Sequence, residues 1–180
     1  SIVYDNELKK VEKILRKIKK HKIDAVIASD WAIILMANKM KIPVHISTQQ
    51  SCSNIESLKL FSKYAERIVL ARELSLKQIR EIKKNIIKNK IKGSTGKLMQ
   101  IECFCHGAMC ISISGRCFLS QFVYGSKFSA NRGRCLQNCR REYIIKDTEK
   151  NNKIKVGQEN DKAYAISPKD LCTIEILDKL

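Results

Sequence analysis

The stretch IDAVIASDWAIILMANKMKIPVHISTQQ, residues 23–50, decides the fold, because it holds a strand, a helix and a second strand in succession. Residues 23–29 form a short apolar run rich in β-branched side chains, and it stops at Ser29 and Asp30, both helix-capping types. Residues 31–40 read as a helix and residues 43–48 as the next strand. Upstream, residues 5–22 put Leu8, Val11, Leu15 and Ile18 at three- and four-residue spacing with charges between them, the mark of an amphipathic helix. Downstream the cycle continues with a helix over 54–65, a strand over 67–71, a helix over 75–88 and, after a turn from Gly93 to Gly96, a strand over 98–104. Strands that alternate with helices predict a parallel sheet.

The 180 residues are 44% apolar with 7 Gly and 2 Pro, which supports a packed core and excludes collagenous, mucin-like or largely disordered chains. The repeat spacing suits a barrel of βα units or an open doubly wound sheet. No G-x-G-x-x-G follows any strand, so the reading is α/β with parallel βα units forming part of a TIM-barrel-like domain. A complete barrel takes about 250 residues, whereas four strands fall before residue 105. Residues 1–104 are therefore expected to be a partial barrel, and residues 105–180 a Cys- and Arg-rich part of the same domain. A chain that opens on Ser1 reads as a fragment or a degenerate copy of something longer. Open barrel edges would then favour self-association or a partner chain.

Lys and Arg number 35 against 18 Asp and Glu, a formal charge of +17. Lys and Ile are used throughout, so the charge has a compositional reading beside that of a polyanionic partner. The longest uncharged apolar stretch, residues 31–37, falls short of the roughly 18 residues of a membrane-spanning helix. The first ten residues lack the apolar segment of a secretory signal, and the expected address is cytoplasmic.

The character changes after Phe104. Residues 105–141 gather four of the seven glycines, five of the eight cysteines and five of the nine arginines. Without an export signal, such cysteines read as metal-ligating or redox-active rather than as a disulfide frame. Four thiolates suit tetrahedral zinc or an iron–sulfur cluster. Cys135 and Cys139 have the tight spacing of a structural zinc pair, and the spread of the other cysteines is read as iron–sulfur over zinc. Spacing alone does not choose four ligands from Cys105, Cys110, Cys117, Cys135, Cys139 and Cys172. Cys52 and Cys103 read as small hydrophobes. Arg116, Arg132, Arg134, Arg140 and Arg141 flank the cysteines, with Tyr124, Phe128 and Tyr143 interleaved. Guanidinium groups grip phosphate and aromatic rings stack on unpaired bases, so RNA is a candidate partner. The competing reading is that these arginines offset thiolate charge.

In parallel sheets the chemistry gathers beyond the carboxyl ends of the strands, which directs attention to residues 48–50, to Arg72 and Glu73, and to residues 105–107. Ser29 and Asp30 read as helix caps. No G-x-S-x-G elbow and no H-E-x-x-H helix occurs, so serine and zinc proteolysis lack their usual parts.

Residues 102–110 (Glu-Cys-Phe-Cys-His-Gly-Ala-Met-Cys) and 114–120 (Ser-Gly-Arg-Cys-Phe-Leu-Ser) resemble the signature of the collagenase-like peptidase family of unassigned catalytic type. Residues 131–140 and 167–172 are similar to its two following motifs, and residues 45–49 and 69–73 to its strand-end motifs. Ser129 and Asn138 stand where the family usually has Asp and Pro. The resemblance implies a barrel-like catalytic domain whose relatives include prephenate-dependent hydroxylases of the transfer-RNA wobble uridine, a ribosomal-RNA cytidine hydroxylase and an iron–sulfur pair in ubiquinone synthesis. It implies a cluster, expected to be 4Fe–4S, on Cys110, Cys117, Cys135 and Cys172, with Cys139 in reserve. It further implies a pocket of Gln49, Arg72, Glu73 and His106 that positions a small carboxylate donor. The expected function is RNA hydroxylation, with 5-hydroxyuridine formation in transfer RNA first. The alternative is a peptidase acting on collagen-like or unfolded chains. An incomplete barrel is expected to be inactive in isolation.

Overall fold

The computed structural model describes residues 1–141, 143–146, 149, 153–156 and 170–179. Residues 167–169 of the last family-like motif lie outside them. The chain divides into two compact units, Ser1–Phe104 and Cys105–Lys179.

The first unit follows the predicted alternation. Helix α1 (Leu8–Lys20) leads to strand β1 (Val26–Ala28), α2 (Trp31–Lys39), β2 (Val44–Ile46), α3 (Ile55–Ser62), β3 (Arg67–Val69), α4 (Leu76–Lys88) and β4 (Gln100–Glu102). The strands pair in parallel in the order β1-β2-β3-β4. Each is three residues long, shorter than its apolar run, because the flanking residues turn into helix caps and loops. Local chemistry sets the helix starts: the Asp30 carboxylate accepts from Ala32 N–H (2.9 Å), Asn54 Oδ1 from Ser57 N–H (2.9 Å), and Ser75 with Gln78 forms a capping box.

Helix ends share one device. After α1, α2 and α4 the chain passes through Lys22, Lys41 and Lys90, at φ of 54°, 57° and 48°, and then into an isoleucine. In each case the isoleucine amide closes back on the carbonyl five residues earlier: Ile23 to Ile18 (3.2 Å), Ile42 to Ala37 (2.9 Å) and Ile91 to Ile86 (3.0 Å). This is the Schellman closure with Lys where Gly is usual. It explains why the expected 5–22 helix ends at Lys20.

Register gives the sheet two faces. Ala28, Ile46, Ile68 and Ile101 form one cross-strand row. The first three are buried in the core with Leu15, Ile34, Leu58, Ile82 and Ile86 from the helices, and Ile101 packs against it. The adjacent row, Ile27, His45, Arg67 and Gln100, lies on the other face. There Arg67 donates twice to Gln100 Oε1 (2.6 and 3.1 Å) and Ile27 is 64% exposed. This face carries a polar ladder.

In the second unit β5 (His106–Ala108) pairs antiparallel with β8 (Asp170–Cys172), and β6 (Tyr143–Lys146) with β7 (Lys153–Val156). Between them lie helix α5 (Leu119–Tyr124) and short 3-10 turns. No helix among the described residues is long and apolar enough to cross a membrane.

Gly93 is the tightest point of the first unit. A Cβ built there would stand 2.7 Å from the Ala65 carbonyl oxygen and 2.8 Å from Glu66 Cα, both backbone atoms. Gly96 has open space but a φ of 79°. Gly93→Ala should therefore cost about 1–3 kcal/mol by overpacking, and more than Gly96→Ala, in urea unfolding of the two variants. Equal losses would show that the loop does not seat against the backbone of residues 65–66.

Candidate functional site

At the carboxyl end of the sheet, the 3-10 turn Thr48–Gln50 follows β2 and the Arg72–Glu73 turn follows β3. Ser29 Oγ donates to Gln49 Oε1 (3.0 Å), Gln50 Nε2 donates to the Ser29 carbonyl, and Thr48 Oγ1 donates to the Leu70 carbonyl (3.2 Å). Asp30 caps α2 as read from the sequence, whereas Ser29 instead fixes Gln49. The Arg72 guanidinium sits 5.4 Å from the centroid of the Phe104 ring, a cation–π contact that holds it at the strand end. Gln49, Arg72 and Glu73 thus share one end of one sheet. His45 belongs elsewhere, 3.2 Å from Glu66.

His106 and the cysteines of interest lie in the second unit. Burial pushes the Cys139 thiol up, and the charges of Cys110, Cys135 and Cys117 push it further, with Arg140 opposing. Cys139 therefore stands within electrostatic reach of three other thiols. Backbone amides are already aimed at two of these sulfurs: Leu119 N–H donates to Cys117 Sγ (3.3 Å) and Gln137 N–H to Cys135 Sγ (3.3 Å). Cys110 Sγ lies 3.5 Å from Ser112 Oγ. Cys172 is exposed on β8, opposite His106 in the register, and Thr173 is tied to the Cys105 carbonyl by its amide and hydroxyl, both at 2.9 Å.

Short polar side chains that sequence reasoning passed over hold these loops. Asn131 Oδ1 accepts from Cys117 N–H (3.1 Å). Ser120 Oγ donates to Asn138 Oδ1 (2.8 Å), accepts from Leu136 N–H (3.1 Å) and lies 4.0 Å from Cys135 Sγ. Ser120 and Asn138 are each 1% exposed, and among the described residues Asn138 Nδ2 has no hydrogen-bond partner. Asp170 was also missed. The signal for it was a carboxylate two residues before a cysteine.

The arginines separate into different roles. Arg140 donates both arms to Asp170 (2.7 and 3.1 Å), which binds the turn carrying Cys139 to the strand ending in Cys172. Of the five arginines expected on RNA, this one has its fork on a carboxylate. Arg141 bonds the Tyr124 hydroxyl and lies 5.4 Å from its ring centroid. Arg134 is exposed and reaches the Lys127 carbonyl (3.4 Å); Arg116 is exposed and Arg132 half-buried.

These thiols, the Asn-Arg-Gly turn that holds Cys117 and the strand-end residues all sit within the region that one family model matches, residues 1–180. The chain belongs to peptidase family U32. It is 41% identical over its full length to a collagenase of Porphyromonas gingivalis, of which it covers 42%. It is 36% identical over 94% of its length to the tRNA hydroxylation protein P1 of Bacillus subtilis, covering 38% of that protein. It is also 36% identical over 83% of its length to the 23S rRNA 5-hydroxycytidine C2501 synthase of Escherichia coli, covering 21%. The chain thus spans less than half the length of these family U32 relatives. No solved structure matches it.

The donor set can be tested against the groups that the sequence suggested. Zinc bonded to four sulfurs at about 2.3 Å would need sulfurs about 3.8 Å apart, and among the described residues no three Cys, His, Asp or Glu side chains stand close enough to hold one ion. A cluster distributes its thiolates over separate iron atoms, and so accepts a wider basin. Sulfurs met by amide N–H groups, a buried amide with unused donors and an adjacent guanidinium fit such a soft, anionic group.

Cys52 and Cys103 behave as the small hydrophobes expected of them: Cys52 is fully buried in the core and Cys103 packs against it. Burial raises the Cys52 thiol from 9.0 to about 11. The unfolded chain ionises this thiol first as pH rises, so its contribution to stability is complete below pH 9 and is lost between pH 9 and about 11. The stability difference between the native chain and Cys52→Ala should accordingly shrink over that interval in urea titrations. A constant difference would place Cys52 outside the core.

Proposed function

We propose that this chain is the cluster-binding and RNA-facing part of a family U32 RNA hydroxylase, with uridine of transfer RNA as the first candidate substrate. In this reading the four parallel strands belong to a TIM-barrel-like domain, the second unit holds a 4Fe–4S cluster, and the address is cytoplasmic. The observation that carries it is the placement of Cys110, Cys117, Cys135 and Cys139 within a segment that holds five of the nine arginines, with backbone amides aimed at the sulfurs of Cys117 and Cys135. Two relatives named for RNA hydroxylation support the substrate class.

Cys110, Cys117 and Cys135 would hold the cluster, and Cys172 would supply the fourth thiolate, brought in by the Arg140–Asp170 pair. When bound, the cluster supplies one-electron redox chemistry. The Leu119 and Gln137 amides stabilise thiolate charge on Cys117 and Cys135 and restrain both loops. On the first unit, Arg72, oriented by Phe104, provides the cation for a small carboxylate donor such as prephenate, and Gln49, fixed by Ser29, lies at the same end of the sheet.

The peptidase reading draws on the collagenase name of a relative.

Two measurements follow. Deleting the full gene should remove 5-hydroxyuridine-type nucleosides from digested transfer RNA, and an intact copy should restore them. Unchanged nucleosides together with gelatin cleavage that survives iron removal would favour the peptidase instead. For the cluster, protein purified without air should lose most of its iron and acid-labile sulfide in each of Cys110→Ser, Cys117→Ser, Cys135→Ser and Cys172→Ser. Iron kept in Cys172→Ser but lost in Cys139→Ser would give the fourth position to Cys139.

A further inference from the structure

Helix α5 presents aromatic rings to solvent in a segment that has no negative side chains. Phe118 and Phe122 are 69% and 87% exposed, and four-residue spacing across one helical turn puts them on one face. The Phe122 amide donates to the Phe118 carbonyl (2.8 Å), so the turn that joins them is formed. Just beyond, Tyr124 meets Phe128 edge to face at 6.1 Å and receives the Arg141 guanidinium through its hydroxyl and its ring. Folding ordinarily buries phenylalanine, and an exposed pair of this kind marks a surface that something covers.

Charge identifies what covers it. Residues 105–141 contain Arg116, Lys127, Arg132, Arg134, Arg140 and Arg141 and no aspartate or glutamate. Arg140 is neutralised by Asp170 from outside this segment. A cluster on four thiolates needs only part of the remaining positive charge, and rings stacked among cations match the two faces of a single nucleic-acid strand, its bases and its phosphates.

We propose that Phe118 and Phe122, flanked by the Tyr124–Arg141 pair, form a stacking platform for unpaired bases of RNA, with Arg134 and Lys127 holding the adjoining phosphates. This rests on the RNA reading above and adds the element that grips the strand. Duplex RNA buries its base faces, so the platform selects loops and single strands.

The test uses the purified chain and a short unstructured oligoribonucleotide containing 2-aminopurine. Binding should quench the 2-aminopurine fluorescence. Phe122→Leu, which keeps an apolar side chain and removes the ring, should abolish the quench and weaken binding about fivefold or more. Phe122→Trp should retain both, and because residue 122 is 87% exposed neither change touches the core. The slope of log affinity against log salt should be unchanged in Phe122→Leu and reduced by about one in Arg134→Gln. Native affinity and quench in a Phe118→Leu/Phe122→Leu double variant would overturn the platform, as would a double variant that changes only sedimentation, which would make the rings a protein interface. Ring-dependent RNA binding with unchanged transfer-RNA nucleosides would leave the platform standing and defeat the hydroxylase. Intact hydroxylation in cells carrying the double variant, with native RNA affinity, would do the reverse.

Discussion

The first unit depends on one row of side chains. Ala28, Ile46, Ile68 and Ile101 lie abreast across four parallel strands, and the helices close over them. Parallel pairing has no short hairpin to fix its register, so the register is held by the difference between two faces. A slip of one residue would drive Arg67 and His45 under the helices and bring Ile46 and Ile68 out. The cost of burying an unpaired guanidinium forbids that alternative.

The second unit is built on a different principle. Among its described residues Ala130 is the single buried apolar side chain, while Ser114, Ser120, Ser129, Asn131 and Asn138 are buried. Hydrogen bonds from these residues fasten the loops that carry the thiols, and the Arg140–Asp170 pair fastens those loops to a strand. With so little apolar burial to stabilise it, such a unit is ordered chiefly by hydrogen bonds among short polar side chains and by one ion pair.

The periodicity of residues 5–104 made the alternation of helices and strands readable, because burial on one face writes itself into the spacing of Leu8, Val11, Leu15 and Ile18 or of Ile79, Ile82 and Ile86. The polar ladder on the second face was not readable, since Arg67 and Gln100 become neighbours only after two strands pair across 33 residues. The same limit applies to the site. The concentration of cysteine and arginine was visible in composition, and the family motifs marked the positions. The sorting of the arginines was not, because the Asp170 that engages Arg140 lies 30 residues away. Cys139 gives an instance: spacing paired it with Cys135 and the family motifs kept it in reserve, while the tie from its turn to the strand of Cys172 through Arg140 and Asp170 exists only in the folded chain.

Three helices end in the same two-residue spelling, Lys then Ile, with the lysine in a left-handed turn that costs it roughly 1–2 kcal/mol relative to glycine. The backbone closure to the carbonyl five residues earlier offsets this, and in two of the three cases the isoleucine also packs inward: Ile42 is part of the core and Ile91 packs against it. Each helix therefore hands the chain on at a fixed angle whatever its outer surface carries. In a sequence so given to lysine, that stop lets the solvent-facing positions drift freely while the next strand still begins in place.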